Sequence, residues 1–233
     1  MRGALTMLLA IATSCRSPKP ADADARKRDA MVRTIEEAGV RDPGVLAAMR
    51  AVPRHELVPD AVRELAYEDH PLPIGWNQTI SQPYIVALMT ELANVARGDR
   101  VLEVGTGSGY QAAVLAEIGV QVHSIEIVEP LAKRAAADLA RLGYGDRVEV
   151  RAGDGYRGWP EQTPFDAVIV TAAPPAVPQP LVDQLKLGGR LIIPVGEGIQ
   201  ELRVIVRTAD GTREEPSILV RFVPMTGEAQ QRR

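Results

Sequence analysis

The stretch Asp99–Gln111, D-R-V-L-E-V-G-T-G-S-G-Y-Q, restricts this chain more than any other. A short apolar run (Val101, Leu102, Val104) meets glycines at 105, 107 and 109, and a helix-like segment follows (Ala112, Ala113, Val114, Leu115, Ile118). That order predicts a buried strand, a turn nearly free of side chains, and a helix N-terminus. Glycines there let backbone come within contact distance of a ligand, and the first N–H groups of a helix have no partner inside it.

Composition matters here mainly for what it excludes. A chain of 233 residues, 45% hydrophobic and 24% charged, suits one α/β domain with a short appendage. A formal net charge of −3 gives no bulk electrostatic support to a nucleic-acid or anionic-membrane partner. The single cysteine, Cys15, excludes an internal disulfide framework and any cysteine-based zinc site. His55, His70 and His123 lack ligand spacing, so no metal is expected. No run reaches the roughly 20 apolar residues that span a bilayer.

Residues 1–30 read as a tail. Arg2, the apolar stretch Ala4–Ala12 and then A-T-S-C resemble a short signal peptide with a lipoprotein cleavage site, Cys15 carrying the lipid and polar Arg16–Asp29 acting as a tether. The alternative is a mis-assigned start codon ahead of Met31. Residues 31–227 form the expected domain, with 31–95 as a helical cover and loop, 96–227 as the sheet, and 228–233 as a second tail.

Within the cover, Val32–Gly39 and Val45–Arg50 have helical spacing, with Asp42 as N-cap of the second and Pro43 at its first position. Tyr67–Thr79 reads as loop, and Ser81 reads as an N-cap ahead of a helix from Tyr84 to Val95. Strands are expected at Arg100–Val104, Val122–Ile127, Arg147–Arg151, Asp166–Thr171 and Arg190–Val195, with helices at Gln111–Ile118, Pro130–Leu142 and Val177–Leu187. This alternation predicts a doubly wound, mostly parallel α/β sheet of Rossmann-like type. Glu201–Arg207 and Ser217–Val223 add an antiparallel hairpin with a long turn.

Three ligand types suit a glycine-rich first βα turn. A P-loop is excluded, since no G-K-[ST] follows. A dinucleotide fingerprint needs G-x-G-x-x-G, whereas Gly105-Thr106-Gly107-Ser108-Gly109 is G-x-G-x-G. Preceded by Glu103, that pattern resembles the first motif of class I S-adenosylmethionine-dependent methyltransferases. Glu126, ending the next strand, suits two ribose hydroxyls, and Asp154 in Gly153-Asp154-Gly155 suits an adenine amino group. Each also has a structural reading: close packing for the glycines, a helix N-terminal carboxylate for Glu126, a turn cap for Asp154 and a helix N-cap for Ser81.

Further stretches carry a more specific resemblance. Gln78-Thr79-Ile80-Ser81-Gln82-Pro83-Tyr84 ahead of the glycine turn, Phe165–Pro175 (F-D-A-V-I-V-T-A-A-P-P), Pro194-Val195-Gly196 and Arg221-Phe222-Val223-Pro224 resemble the protein-L-isoaspartate O-methyltransferase family from about Met31 to about Gly227. The resemblance implies methyl transfer from S-adenosyl-L-methionine to the α-carboxyl of L-isoaspartyl residues in damaged proteins. The ester then closes to a succinimide that hydrolyses partly to normal aspartate. By the same resemblance Ser81 is the active-site residue, and Gln78, Thr79 and Ile80 line the cofactor's methionine end. Gly105, Gly107 and Gly109 hold that end against the sheet, and Glu103 and Thr106 are further cofactor-binding residues. Glu126 takes the ribose, Asp154 and Gly155 the adenine, Val223 the substrate peptide, and Thr226 closes over the cofactor.

Three rivals stay open on the residues alone: a methyltransferase for another carboxylate, a non-catalytic cofactor-binding module, and an NAD-dependent oxidoreductase. The expected partners are damaged proteins and peptides, with no nucleic acid and no metal, and the expected state is a monomer. S-adenosylmethionine is a cytosolic metabolite, so the cytoplasm is the expected location. Export as a lipoprotein through Cys15 is the alternative.

Overall fold

The computed structural model describes residues 20–231; the signal-like segment with Cys15 lies outside them. Helix α1 covers Pro20–Glu37, so the stretch read as a tether is helical from Pro20 onward. Its polarity serves side-chain anchoring. Lys27 Nζ meets Glu64 Oε2 at 2.7 Å, Arg28 donates to the Tyr67 hydroxyl at 3.3 Å, and Asp24 lies 3.6 Å from His55 Nε2. Helix α2 (Pro43–Ala51) starts as expected: Asp42 Oδ1 accepts from the Val45 N–H at 2.9 Å, and Pro43 opens the helix. Two 3-10 turns follow, Arg54–Leu57 and Asp60–Leu65.

The segment read as loop contains a small antiparallel hairpin, β1 (Leu72–Gly75) and β2 (Gln78–Ile80). Its turn residues Trp76 and Asn77 both have positive φ, 50° and 57°. Primed hairpin turns require that geometry, and Asn tolerates it better than most residues. Arg134 pins the hairpin by donating to the Ile74 carbonyl at 2.9 Å and lying 5.5 Å from the Trp76 ring centroid.

Beyond α3 (Pro83–Ala93) the sheet begins with β3 (Arg100–Val104), α4 (Tyr110–Ile118), β4 (Gln121–Glu126), α5 (Glu129–Arg141), β5 (Val148–Ala152) and β6 (Phe165–Val170). Helix α6 (Gln179–Asp183) is only five residues long, because the chain from Leu185 already belongs to β7 (Leu185–Val195). Prolines 178 and 180 and the pair Gly188-Gly189 bound the helical part of the longer expected segment. Strands β8 (Gln200–Thr208) and β9 (Gly211–Val220) close the sheet through a two-residue turn, with Thr208 paired to Gly211. The hairpin turn is therefore short rather than long, and Val223 lies beyond the strand. Helix α7 (Glu228–Gln231) occupies part of the expected C-terminal tail, with Ala229 buried.

The strand order is β5-β4-β3-β6-β7-β8-β9. The first five are parallel, and β7, β8 and β9 form an antiparallel meander. Chain direction reverses its march across the sheet between β3 and β6, which is where open α/β sheets form ligand crevices. Register makes that crevice: Val104 pairs with Ile125 of β4 and Val170 of β6, so Gly105, Glu126 and Thr171 emerge level at one edge. Buried apolar residues pack both faces, including Leu102, Ile125 and Val168 on one side and Val101, Ala167 and Ile192 on the other. Among the described residues no helix is long and apolar enough to cross a membrane.

Candidate active site

The three glycines of the turn do three different things. Gly105 has φ +99°, and Thr171 from the end of β6 donates its hydroxyl to the carbonyls of Gly105 (2.5 Å) and Val104 (3.2 Å). A Cβ at Gly105 would overlap Thr171 Oγ1. Gly107 donates its N–H to Glu126 Oε2 at 2.8 Å. Gly109 begins α4 with φ +83°, and an added Cβ would lie 3.1 Å from the Leu139 side chain. The last glycine serves helix–helix packing and lines no part of the cleft.

Two carboxylates flank the turn in different states of satisfaction. Glu126 is buried, and its second oxygen accepts from the Val128 N–H at 2.9 Å. Each oxygen thus keeps acceptor capacity for ligand hydroxyls. Glu103 is fully buried and takes one hydrogen bond, from Ser124 Oγ at 2.5 Å; Ser124 in turn meets Thr106 Oγ1 at 2.5 Å. Its other oxygen, Oε1, has no hydrogen-bond partner among the described residues. Burial, with Glu126 nearby, pushes the Glu103 carboxyl up to about 8.

Three connected spaces meet at this edge. A narrow cleft of about 60 Å³ is lined by Gln78, Thr79, Gly105, Gly107, Glu126 and Gly155, with Val223 and Thr226 also in its wall. Behind the turn, a small chamber of about 30 Å³ is bounded by Ile80, Ser81, Glu103, Thr106 and Gln111. In front, a groove of about 490 Å³ is lined by Ser81, Gln82 and Ile85 and by Ile199, Leu219, Phe222 and Val223. Thr79 and Thr171 border all three, and Ser81 stands in the wall of both chamber and groove.

Most residues singled out in the sequence converge here, through contacts the sequence does not display. Val223 and Thr226 reach the cleft because the chain after β9 is stitched to Ala173: the Ala173 N–H donates to the Val223 carbonyl and the Met225 N–H to the Ala173 carbonyl, both at 2.8 Å. Asp154, like Gly109, is an exception. It is exposed and lines no part of the cleft, and its oxygens accept from the N–H groups of Tyr156 (2.9 Å) and Glu228 (2.7 Å). It thereby caps the start of α7, against Gly227 at the cleft's rim. Gly155 lines the cleft floor, where a Cβ would overlap Val104.

Sequence reasoning missed Thr171, although its place at the carboxyl end of a strand on the ligand edge was a usable signal. It also gave helix capping to Ser81. In the structure Gln82 is the N-cap residue of α3 and no side chain of its own segment caps the helix. Trp76 and Tyr84, the aromatic residues flanking the Ser81 loop in sequence, do not line the groove; Trp76 stands half-exposed at the hairpin tip.

An acceptor-rich cleft with an orphaned buried oxygen behind it suits a ligand carrying hydroxyls and a cationic donor. Comparison with known proteins is specific. The family model for protein-L-isoaspartate(D-aspartate) O-methyltransferase matches residues 26–230. The protein-L-isoaspartate O-methyltransferase of Gloeobacter violaceus is 58% identical over 199 residues, covering 84% of this chain and 97% of that one. That of a Synechococcus species is 54% identical over 220 residues, covering 89% and 90%. A solved protein-L-isoaspartate O-methyltransferase superposes with a TM-score of 0.80 at 30% identity, covering 87% of this chain and 67% of the other. A Plasmodium falciparum structure described as a putative member, in complex with S-adenosyl-L-homocysteine, gives 0.74 at 26% identity, covering 85% and 98%. With a strand–glycine turn–helix at the switch point, a serine loop in front of it and this likeness over nearly the whole described length, the chain belongs to the protein-L-isoaspartate(D-aspartate) O-methyltransferase family.

Proposed function

We infer that the chain transfers a methyl group from S-adenosyl-L-methionine to the α-carboxyl of L-isoaspartyl residues in damaged proteins and peptides. The observation that carries this reading is the position of Ser81. Ser81 lines both the open groove and the chamber behind the glycine turn.

When bound, the cofactor supplies an electrophilic methyl group on a sulfonium. The acceptor is a carboxylate already ionised at neutral pH, its ordinary pKa being about 3.5 to 4, so no strong general base is needed. What remains for the protein is positioning in a site closed to water. Ser81 donates its hydroxyl to one carboxylate oxygen and leaves the other to attack. Gln78, Thr79 and Ile80 flank the methionine end, with Glu103 and Thr106 behind. Gly105 and Gly107 let the backbone approach, and Glu126 accepts from the ribose hydroxyls. Gly155 floors the adenine end, and Asp154, through its hold on α7, shapes the rim there. Val223 contacts the peptide, and Thr226 closes over the cofactor.

In this reading the chain beyond its N-terminal tail is one methyltransferase domain, acting as a cytoplasmic monomer with no metal or nucleic acid in the scheme. The mass of the native N-terminus tests the location against lipoprotein export. The activity is tested by transfer of labelled methyl to an isoaspartyl peptide, with its aspartyl isomer as control. Label on the first alone is expected, and equal labelling of both refutes the reading. Ser81→Ala should lower kcat about tenfold or more while S-adenosylhomocysteine affinity stays within about twofold, since it removes an interaction with the acceptor only.

A further inference from the structure

The N-terminus of α3 is capped from outside its own segment. Pro83, its first residue, has no N–H, and the next N–H, that of Tyr84, donates to Asp69 Oδ1 at 2.8 Å. The side-chain amide of Gln82 donates to the other oxygen of the same carboxylate, also at 2.8 Å. Asp69 thus fills the role that Ser, Thr, Asp or Asn usually fills at the N-cap position itself. The Arg54 guanidinium, fully buried over the Tyr110 ring and with no hydrogen bond to either Nη group among the described residues, lies within electrostatic reach of it.

Ser81 is consequently held from both sides. Upstream, Ile80 pairs with Leu72 in the β1–β2 hairpin. Downstream, Gln82 and Tyr84 are fastened to Asp69. Its hydroxyl, relieved of capping, makes no hydrogen bond among the described residues, and the residue lines both groove and chamber.

We propose that Asp69 is a positioning residue for methyl transfer: by capping α3 in place of Ser81 it keeps the serine hydroxyl free for the acceptor carboxylate and fixes where that hydroxyl stands. The proposal rests on the role given to Ser81 above. In this proposal, loss of Asp69 leaves the Tyr84 N–H to draw on a side chain of its own segment, and a Ser81 hydroxyl engaged there is lost to the substrate.

The test is a double-mutant cycle in the full chain, Asp69→Ala with and without Ser81→Ala. It reads kcat and KM on an isoaspartyl peptide, S-adenosylhomocysteine affinity by calorimetry, and the melting temperature. Asp69→Ala should lower kcat about tenfold with cofactor-product affinity held within about twofold, and should cost less than about twofold once Ser81 is already alanine. Asp69→Asn keeps an acceptor for the Tyr84 N–H and should restore kcat to within about threefold of the parent. Equal losses in both backgrounds, parallel loss of kcat and affinity, or no loss at all would overturn the proposal. Should Asp69→Ala not fold, Asp69→Asn carries the cycle: its smaller loss must vanish in the Ser81→Ala background, and a loss that persists there overturns the idea. Failure of the parent protein to bind S-adenosylhomocysteine, or to prefer the isoaspartyl peptide, would instead sink the functional reading beneath it.

Discussion

The two sides of Ser81 are built from different materials. On the cleft side the walls are backbone and short polar groups already committed to one another: Thr171 on the Gly105 carbonyl, Glu126 on the Gly107 N–H, and Ser124 between Thr106 and Glu103. On the groove side the walls are apolar side chains standing in solvent, with Ile199 74% and Leu219 75% exposed. Fixed donors and acceptors recognise one invariant ligand, because an unmatched buried polar group is expensive. Exposed apolar side chains tolerate many neighbours, since their contribution follows contact area and not direction. A repair enzyme meets one cofactor and damaged sites in many sequence contexts, and the division matches that need.

Breaking the rigid side should have the largest effect. Gly105→Val places a Cβ onto Thr171 at a left-handed φ, so S-adenosylhomocysteine affinity should fall by about 100-fold or more in calorimetry. On the adaptable side, Leu219→Asp should raise peptide KM about five- to tenfold, the loss of roughly 1 kcal/mol of apolar contact. Cofactor affinity and melting temperature should stay unchanged, because the side chain is solvent-exposed. If Leu219→Asp instead weakens cofactor binding, the two sides are not separable as described.

The smallest effect sharpens the contrast through pH. The folded Glu103 carboxyl titrates near 8 against an ordinary 4.5, so between those values the folded chain holds a proton that the unfolded chain has released. Stability of the ligand-free protein therefore falls as pH rises through that window. Glu103→Gln removes the linkage. The parent should lose melting temperature between pH 5 and pH 8.5 by about 5 °C more than the variant. Identical pH slopes would show that Glu103 is not held neutral in the fold.

Much of the cofactor side is legible in the chain because its parts are periodic and local. Val101–Val104 reads as a buried strand, the alternating glycines as a turn, and Glu126 and Thr171 follow two further apolar runs that end at the same edge. The groove is not legible in that way. Pro71, Ser81, Ile199 and Leu219 share no period, and nothing local announces that a meander of β7, β8 and β9 brings the last two opposite the first two. The β1–β2 hairpin escaped notice because its turn is Trp-Asn, with no glycine at either positive-φ position. The first half of α1 is not legible because a polar stretch suits a tether as well as a helix, whereas Lys27, Arg28 and Asp24 are fastened to residues some thirty to forty positions away.

By itself the sequence determined the architecture and the ligand edge: strand–helix alternation dictates right-handed crossovers in a parallel sheet, and glycines at the end of its first strand dictate where backbone can meet a cofactor. Only the tertiary structure decided how labour is divided among side chains that look alike in the chain. Gly109 packs a helix while Gly107 feeds a carboxylate, Asp154 caps a helix instead of lining the cleft, and Asp69 takes the cap that leaves Ser81 unengaged. The reason is physical: a hydrogen bond or a close approach belongs to whichever partner the fold brings within about 3 Å, and sequence spacing does not encode that distance across elements.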